Sequence, residues 1–172
     1  MSILEIIKAP SDKLKVKAEK VINVDQVQVL IDDMLETMYD TEDGIGLAAT
    51  QVGRTEAIIM IDVSEERDSP LILINPEVVS GENIEKGQEG CLSVHGYYAD
   101  IERFTSVKVK GLDRTGKEVV IENDDFIAII LQHEIDPLKG KLLIDYLSPL
   151  KQIMALKKVE KTIKDAVVQV CN

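Results

Sequence analysis

The sequence has no tryptophan, and aromatic residues make up only 3% of its 172 positions. A core must therefore rest on Ile, Val and Leu, and stacking platforms for single-stranded nucleic acid are not expected. Cysteine is scarce: Cys91 and Cys171 are the only two, too few for a disulfide framework. Cationic residues are outnumbered, 20 Lys and Arg against 31 Asp and Glu, for a formal net charge of −11. That balance opposes phosphate backbones and anionic membranes over most of the surface. No apolar run approaches the roughly 18 residues needed to span a bilayer; Phe126 to Leu131 is the longest clear stretch near the middle. The opening MSILEIIKAP also lacks the basic segment, apolar run and cleavage site of a signal peptide. These absences make a cytoplasmic protein the expectation.

What is present fits an ordinary folded chain, with 45% hydrophobic and 30% charged residues. The length suits one domain over residues 1–172. Val27, Leu30, Ile31, Met34, Leu35 and Met38 follow the spacing of one helical face and predict an amphipathic helix over about 25–41. Ala57 to Val63 and Leu71 to Ile74 are short, rich in β-branched residues and bounded by polar or proline-containing segments, as buried strands are. Asn75-Pro76 should then redirect the chain. Thr105 to Leu112 and Lys117 to Glu122 flank Asp113-Arg114-Thr115-Gly116 and read as a hairpin. Asn123 or Asp124 can cap a following helix that is apolar nearly all round from Phe126 to Gln132 and should be central. Ser148-Pro149 has the form of a cap and first helical position, opening a last helix over about 148–170. Residues between Pro10 and Val24 are polar and predicted irregular. The pattern as a whole is α+β.

Three separated segments carry candidate chemistry: Gly44-Ile45-Gly46-Leu47-Ala48-Ala49-Thr50-Gln51, Glu89-Gly90-Cys91-Leu92-Ser93, and Gln132-His133-Glu134-Ile135-Asp136. Alone, each has an ordinary explanation: a turn, a buried small apolar residue, a helical polar pair. In this order and at these separations they closely resemble the peptide deformylases, and the similarity extends over nearly the whole chain, through Asp145-Tyr146-Leu147-Ser148-Pro149-Leu150. The resemblance implies antiparallel or mixed sheets around a central motif-bearing helix, with a C-terminal helix.

It also implies a hydrolase that removes the formyl group from the N-terminal formyl-methionine of nascent polypeptides. Cys91 and His133 would be metal ligands, with Fe²⁺ the expected ion and Zn²⁺ or Ni²⁺ able to substitute. The ion would lower the pKa of a bound water and polarise the formyl carbonyl, while Glu134 accepted the water's proton and delivered it to the departing amine. The Gln51 amide and the backbone N–H of Leu92 would stabilise the carbonyl oxygen as negative charge develops. Ile45, Gly46, Gly90, Ile129 and Ile130 match the substrate cleft, the isoleucines forming an apolar pocket for the methionine side chain.

Two positions depart from the family pattern. Pro137 stands where His-Glu-x-x-His would place its second histidine, one helical turn after His133. His95 stands where the family has proline after Cys-Leu-Ser-Val. Proline supplies no donor atom, and its missing N–H and ring should bend the helix or end it early. Asp136 and His95 are the nearby donors that would have to compensate; His95, following Cys91 along an extended segment, should point away from the ion.

Five lysines, Lys151, Lys157, Lys158, Lys161 and Lys164, oppose two acids over residues 150–172, leaving fifteen cations against twenty-nine anions elsewhere. A solvated helix face is the commonest meaning of such spacing; the resemblance to a family that meets its substrates at the ribosome implies, as a second reading, a tail that contacts ribosomal RNA. A monomer is expected. Two other functions fit the same residues: a non-catalytic homologue that binds N-terminal peptides, and a ribosome-associated module acting through the last helix.

Overall fold

The structure is a computed structural model that describes residues 2–171, with side-chain surroundings described for 2–165. In chain order it contains α1 (Gln28–Asp40), β1 (Gly46–Ala48), β2 (Ile58–Ile61), β3 (Leu71–Glu89), β4 (Ala99–Leu112), β5 (Glu118–Asn123), α2 (Phe126–Leu138) and α3 (Pro149–Cys171). The five strands form one sheet in the order β1-β2-β3-β4-β5, each neighbouring pair antiparallel. This is the expected α+β class, with α2 central and α3 closing the chain.

Strand β2 explains the layering. Its side chains alternate between faces, as any strand's must: Ile58 and Met60 pack with Leu30, Ile31, Met34 and Met38 of α1, while Ile59 and Ile61 pack with Ala128, Leu131 and Ile135 of α2. All four are buried, so this strand is apolar on both faces rather than on alternate residues. Each such side chain contributes about 1.5–3 kcal/mol on burial. A third cluster joins the N-terminal segment, the turn after Cys91 and α3 through Leu14, Val94, Leu143, Ala155 and Val159.

Several boundaries differ from the sequence reading. The first helical turn, Val24–Val27, is 3-10, and α1 proper begins at Gln28. Strand β3 does not end at Asn75-Pro76: Asn75 takes a left-handed φ of 54°, the register shifts between Ile74 and Glu77, and the strand continues to Glu89. The bulge bends the chain without ending the pairing. The α2 cap is Asp125 rather than Asn123 or Asp124; its side chain accepts the Ile127 N–H, while Asn123 braces the Asp125 and Ala128 N–H groups.

Pro137 lies inside α2, which ends one residue later at Leu138. Its carbonyl accepts bonds from Thr50 Oγ1 at 3.0 Å and from the Gly140 N–H. Asp125→Ala is expected to lower stability by about 1 kcal/mol through loss of the cap, measured as a shift of the urea midpoint with an unchanged slope.

Candidate active site

The loop after α1, the end of β3, the turn after Cys91 and one face of α2 enclose a cleft of about 340 Å³, within the usual range for small-ligand sites. Gln51, Cys91, Leu92, His133 and Glu134 all line it, as do Ile45, Gly46, Gly90, Ile129 and Ile130. The three sequence segments are thus brought together. Ile45 is partly exposed in the cleft, whereas Ile130 is 5% exposed and also belongs to the α2 core.

Glu134 occupies an unusual environment. It is buried, and its Oε2 has no hydrogen-bond partner. Burial pushes its carboxyl up to about 7, only partly offset by the neighbouring His133. β1 passes close to it: a Cβ at Gly46 would lie 2.6 Å from Glu134 Oε1. Glycine is required there for the carboxylate to occupy this position.

Gln51 is buried and locally fixed. Its Oε1 accepts the Ala48 N–H at 2.9 Å, and its Nε2 faces Cys91 Sγ at 3.5 Å and Ser93 Oγ at 3.2 Å. Residues Leu92–Val94 form a 3-10 turn rather than the extended segment expected from sequence, closed by the Val94 N–H to the Cys91 carbonyl. His95 follows at the cleft mouth, exposed.

His133 is held by Glu89: its Nδ1 lies 2.7 Å from Glu89 Oε1. Burial disfavours the imidazolium, but the neighbouring Cys91, Glu89 and Glu134 outweigh it and hold His133 above the ordinary range. Glu89 is gripped by Arg103, whose Nε and Nη2 donate to its two oxygens at 2.9 Å each. Arg103 also pairs with Asp136 and stacks over the Tyr146 ring, while Tyr146 Oη donates to Asp136 at 2.7 Å. Burial alone would raise the Glu89 carboxyl; the bonds from Arg103 and His133 hold it below the usual carboxylate range.

Sequence reasoning passed over Glu89, Arg103 and Tyr146 in this network, although Glu89 begins one of the three segments. It weighed Asp136 as a metal donor, but Arg103 and Tyr146 hold that carboxylate instead. Cys91 and His133 can act as donors toward an ion; Pro137 adds nothing, and among the described residues no group of three or more His, Cys, Asp and Glu side chains is arranged to hold a metal. A catalytic centre of this kind ordinarily has three protein ligands. The residues present therefore do not complete one.

A thiol, an imidazole and a buried carboxyl gathered in one cleft are the groups of a hydrolase site, here with too few donors among the described residues to complete a metal centre. Residues 3–153 match the polypeptide deformylase family. Peptide deformylase 2 of Vibrio parahaemolyticus is 65% identical over 95% of this chain and 98% of its own length. Peptide deformylase 2 of Vibrio cholerae is 62% identical over 96% and 98%, respectively. A crystal structure of a peptide deformylase from Legionella pneumophila superposes with a TM-score of 0.91 at 40% identity, covering 96% of this chain and 98% of that one. The chain belongs to the polypeptide deformylase family.

Replacing Arg103 with methionine would strip the buried Glu89 carboxylate of its guanidinium partner, leaving it only His133, and leave Asp136 only the Tyr146 hydroxyl. The expected cost is about 3–5 kcal/mol, read as a lowered urea midpoint; a loss below about 1 kcal/mol would show that the network does not brace the site.

Proposed function

We propose that this chain is an amide hydrolase that removes the formyl group from the N-terminal formyl-methionine of nascent polypeptides, with turnover limited by Pro137. Water adds to the formyl carbon, the carbon–nitrogen bond breaks, and formate and a free amino terminus leave. The observation that carries the reading is Glu134: a buried carboxyl with an unpartnered oxygen, pushed up to about 7, lining the cleft of a chain that matches the polypeptide deformylase family.

A group with that affinity both accepts and returns a proton near neutrality. Glu134 takes the proton from water and delivers it to the departing amine. The Gln51 amide and the Leu92 N–H receive the oxygen that becomes negative, as donors fixed before the reaction begins. For Gln51 this requires one of its amide hydrogens to turn from Cys91 or Ser93 toward substrate. Ile45, Ile129 and Ile130 take the methionine side chain, and Gly46 and Gly90 present backbone to the peptide. Cys91 and His133 are the donors toward the family's metal, for which Fe²⁺ is our assignment.

The wider reading is a cytoplasmic monomer. Lys151, Lys157, Lys158, Lys161 and Lys164 are all exposed on α3, and we assign them to contact with ribosomal RNA, where cations on an otherwise acidic protein would be needed.

The test is anaerobic purification, measurement of bound metal, and formate release from a formyl-methionyl peptide, beside a Pro137→His variant. The unaltered chain should hold less than one equivalent of metal, and the variant should approach one equivalent with formate release about a hundredfold or more faster. Full occupancy and full turnover with Pro137 in place would refute the limitation. Absence of formate release from both forms would refute the hydrolase reading and favour a peptide-binding role.

A further inference from the structure

Lys8 is a half-buried ammonium in a segment that the chemistry described so far does not use. Its Nζ donates to the Leu92 carbonyl at 2.7 Å. Among the described residues no carboxylate lies within ion-pair distance of it, although the chain carries 31 acids. Withdrawing an ammonium from water is costly, and one bond to a neutral carbonyl compensates only part of that cost. Such a placement calls for a reason in the groups it touches.

Those groups are the two segments that carry the oxyanion donors. On either side of Lys8 the backbone makes one bond to each: the Ile7 N–H donates to the Gln51 carbonyl at 2.7 Å, and the Ala9 N–H donates to the Ser93 carbonyl at 2.8 Å. Gln51 Nε2 and Ser93 Oγ, 3.2 Å apart, close the ring from inside. The Leu92 residue lies between these anchored points. Its own N–H follows the Cys91 carbonyl, which the Val94 N–H holds, and its carbonyl is held by Lys8. With both neighbouring peptide planes tied, the direction of the Leu92 N–H is set.

We propose that Lys8 is a positioning residue for deformylation, the middle point of a three-bond clamp from residues 7–9 that fixes the Leu92 N–H relative to the Gln51 amide. The proposal rests on the deformylase reading. Donor geometry matters steeply in such a site, because hydrogen bonds aimed at a developing oxyanion act only when they are in place beforehand. The fixed positive charge next to Leu92 acts in the same direction, since it favours negative charge gathering on the oxygen that the N–H receives.

The test compares Lys8→Met, which keeps length and loses the donor, with Lys8→Arg, which keeps charge and donors. Both are made in the unaltered chain and in the Pro137→His form, so that slow turnover caused by Pro137 is not assigned to Lys8. Loss of a charge-assisted bond should raise amide hydrogen exchange at Ala9 and Val94 about tenfold in Lys8→Met, with α2 amides unchanged. In the faster form kcat should fall about tenfold with KM within about twofold, and Lys8→Arg should restore most of both. Unchanged exchange at Ala9 and Val94, or unchanged kcat, overturns the proposal. So does a loss that Lys8→Arg shares in full, because that would indicate packing of the stem rather than the bond. If neither parent form releases formate, the deformylase reading fails, and with it the catalytic role; the exchange data then report whether the clamp itself exists.

Discussion

The arrangement of the site depends on one buried cation. Arg103 comes from β4, yet its guanidinium grips Glu89 at the end of β3, Asp136 on α2 and the ring of Tyr146 in the turn before α3. Its side chain is 4% exposed and that of Glu89 is 7%, so each charge would be costly without the other. A planar fork with five donors can satisfy several acceptors at fixed angles; an ammonium cannot. The strand end carrying Glu89 is therefore held in register with the helix carrying His133, and Glu89 passes that constraint to the His133 ring through Nδ1. A neighbour on the far ring nitrogen sets which nitrogen is left to face the cleft.

Glu134 depends on a constraint of the opposite kind, an absence of atoms. The carboxyl is buried, its Oε2 has no hydrogen-bond partner, and β1 passes so close that a side chain at position 46 would collide with it. Burial supplies the raised affinity for a proton. Residues that look unrelated in sequence, a glycine in one loop and a glutamate on a helix, thus form one device: the first sets the clearance and the second exploits the dry space.

How much of this could be read from the sequence follows from the range of each signal. The α1 face and the β4–β5 hairpin depend on periodicity and turn composition within a dozen residues, and both were legible. The far half of β3 was not, because its side chains are largely polar and exposed and it is a strand only by pairing with β4. The α2 cap slipped because Asn123, Asp124 and Asp125 offer nearly the same chemistry, and backbone geometry alone chooses among them. The cleft residues were legible through the three segments taken together. Arg103 and Lys8 were invisible: each is a lone cation whose partners lie 14 to 84 positions away, and no local pattern marks it.

Pro137 shows why fold and chemistry separate so cleanly in this chain. A proline in the middle of α2 would remove an internal bond and force its ring against the preceding turn, at a cost of about 3 kcal/mol. Here it falls in the last turn, so a single internal bond, to the His133 carbonyl, is missing close to the helix end, and the carbonyl of Pro137 itself looks outside the helix for partners. Thr50 and Gly140 supply them at the Pro137 carbonyl. The backbone can therefore keep the family's shape over nearly its full length while the side chain at one position loses every donor atom. Similarity of scaffold is spread over hundreds of small contacts and tolerates such a change; a three-ligand centre has no such redundancy, because the remaining candidate, Asp136, is already bound to Arg103 and Tyr146. Freeing Asp136 for a metal would strip the buried cation of a partner and loosen the network that orients His133, so the same interaction that organises the site also prevents it from repairing itself.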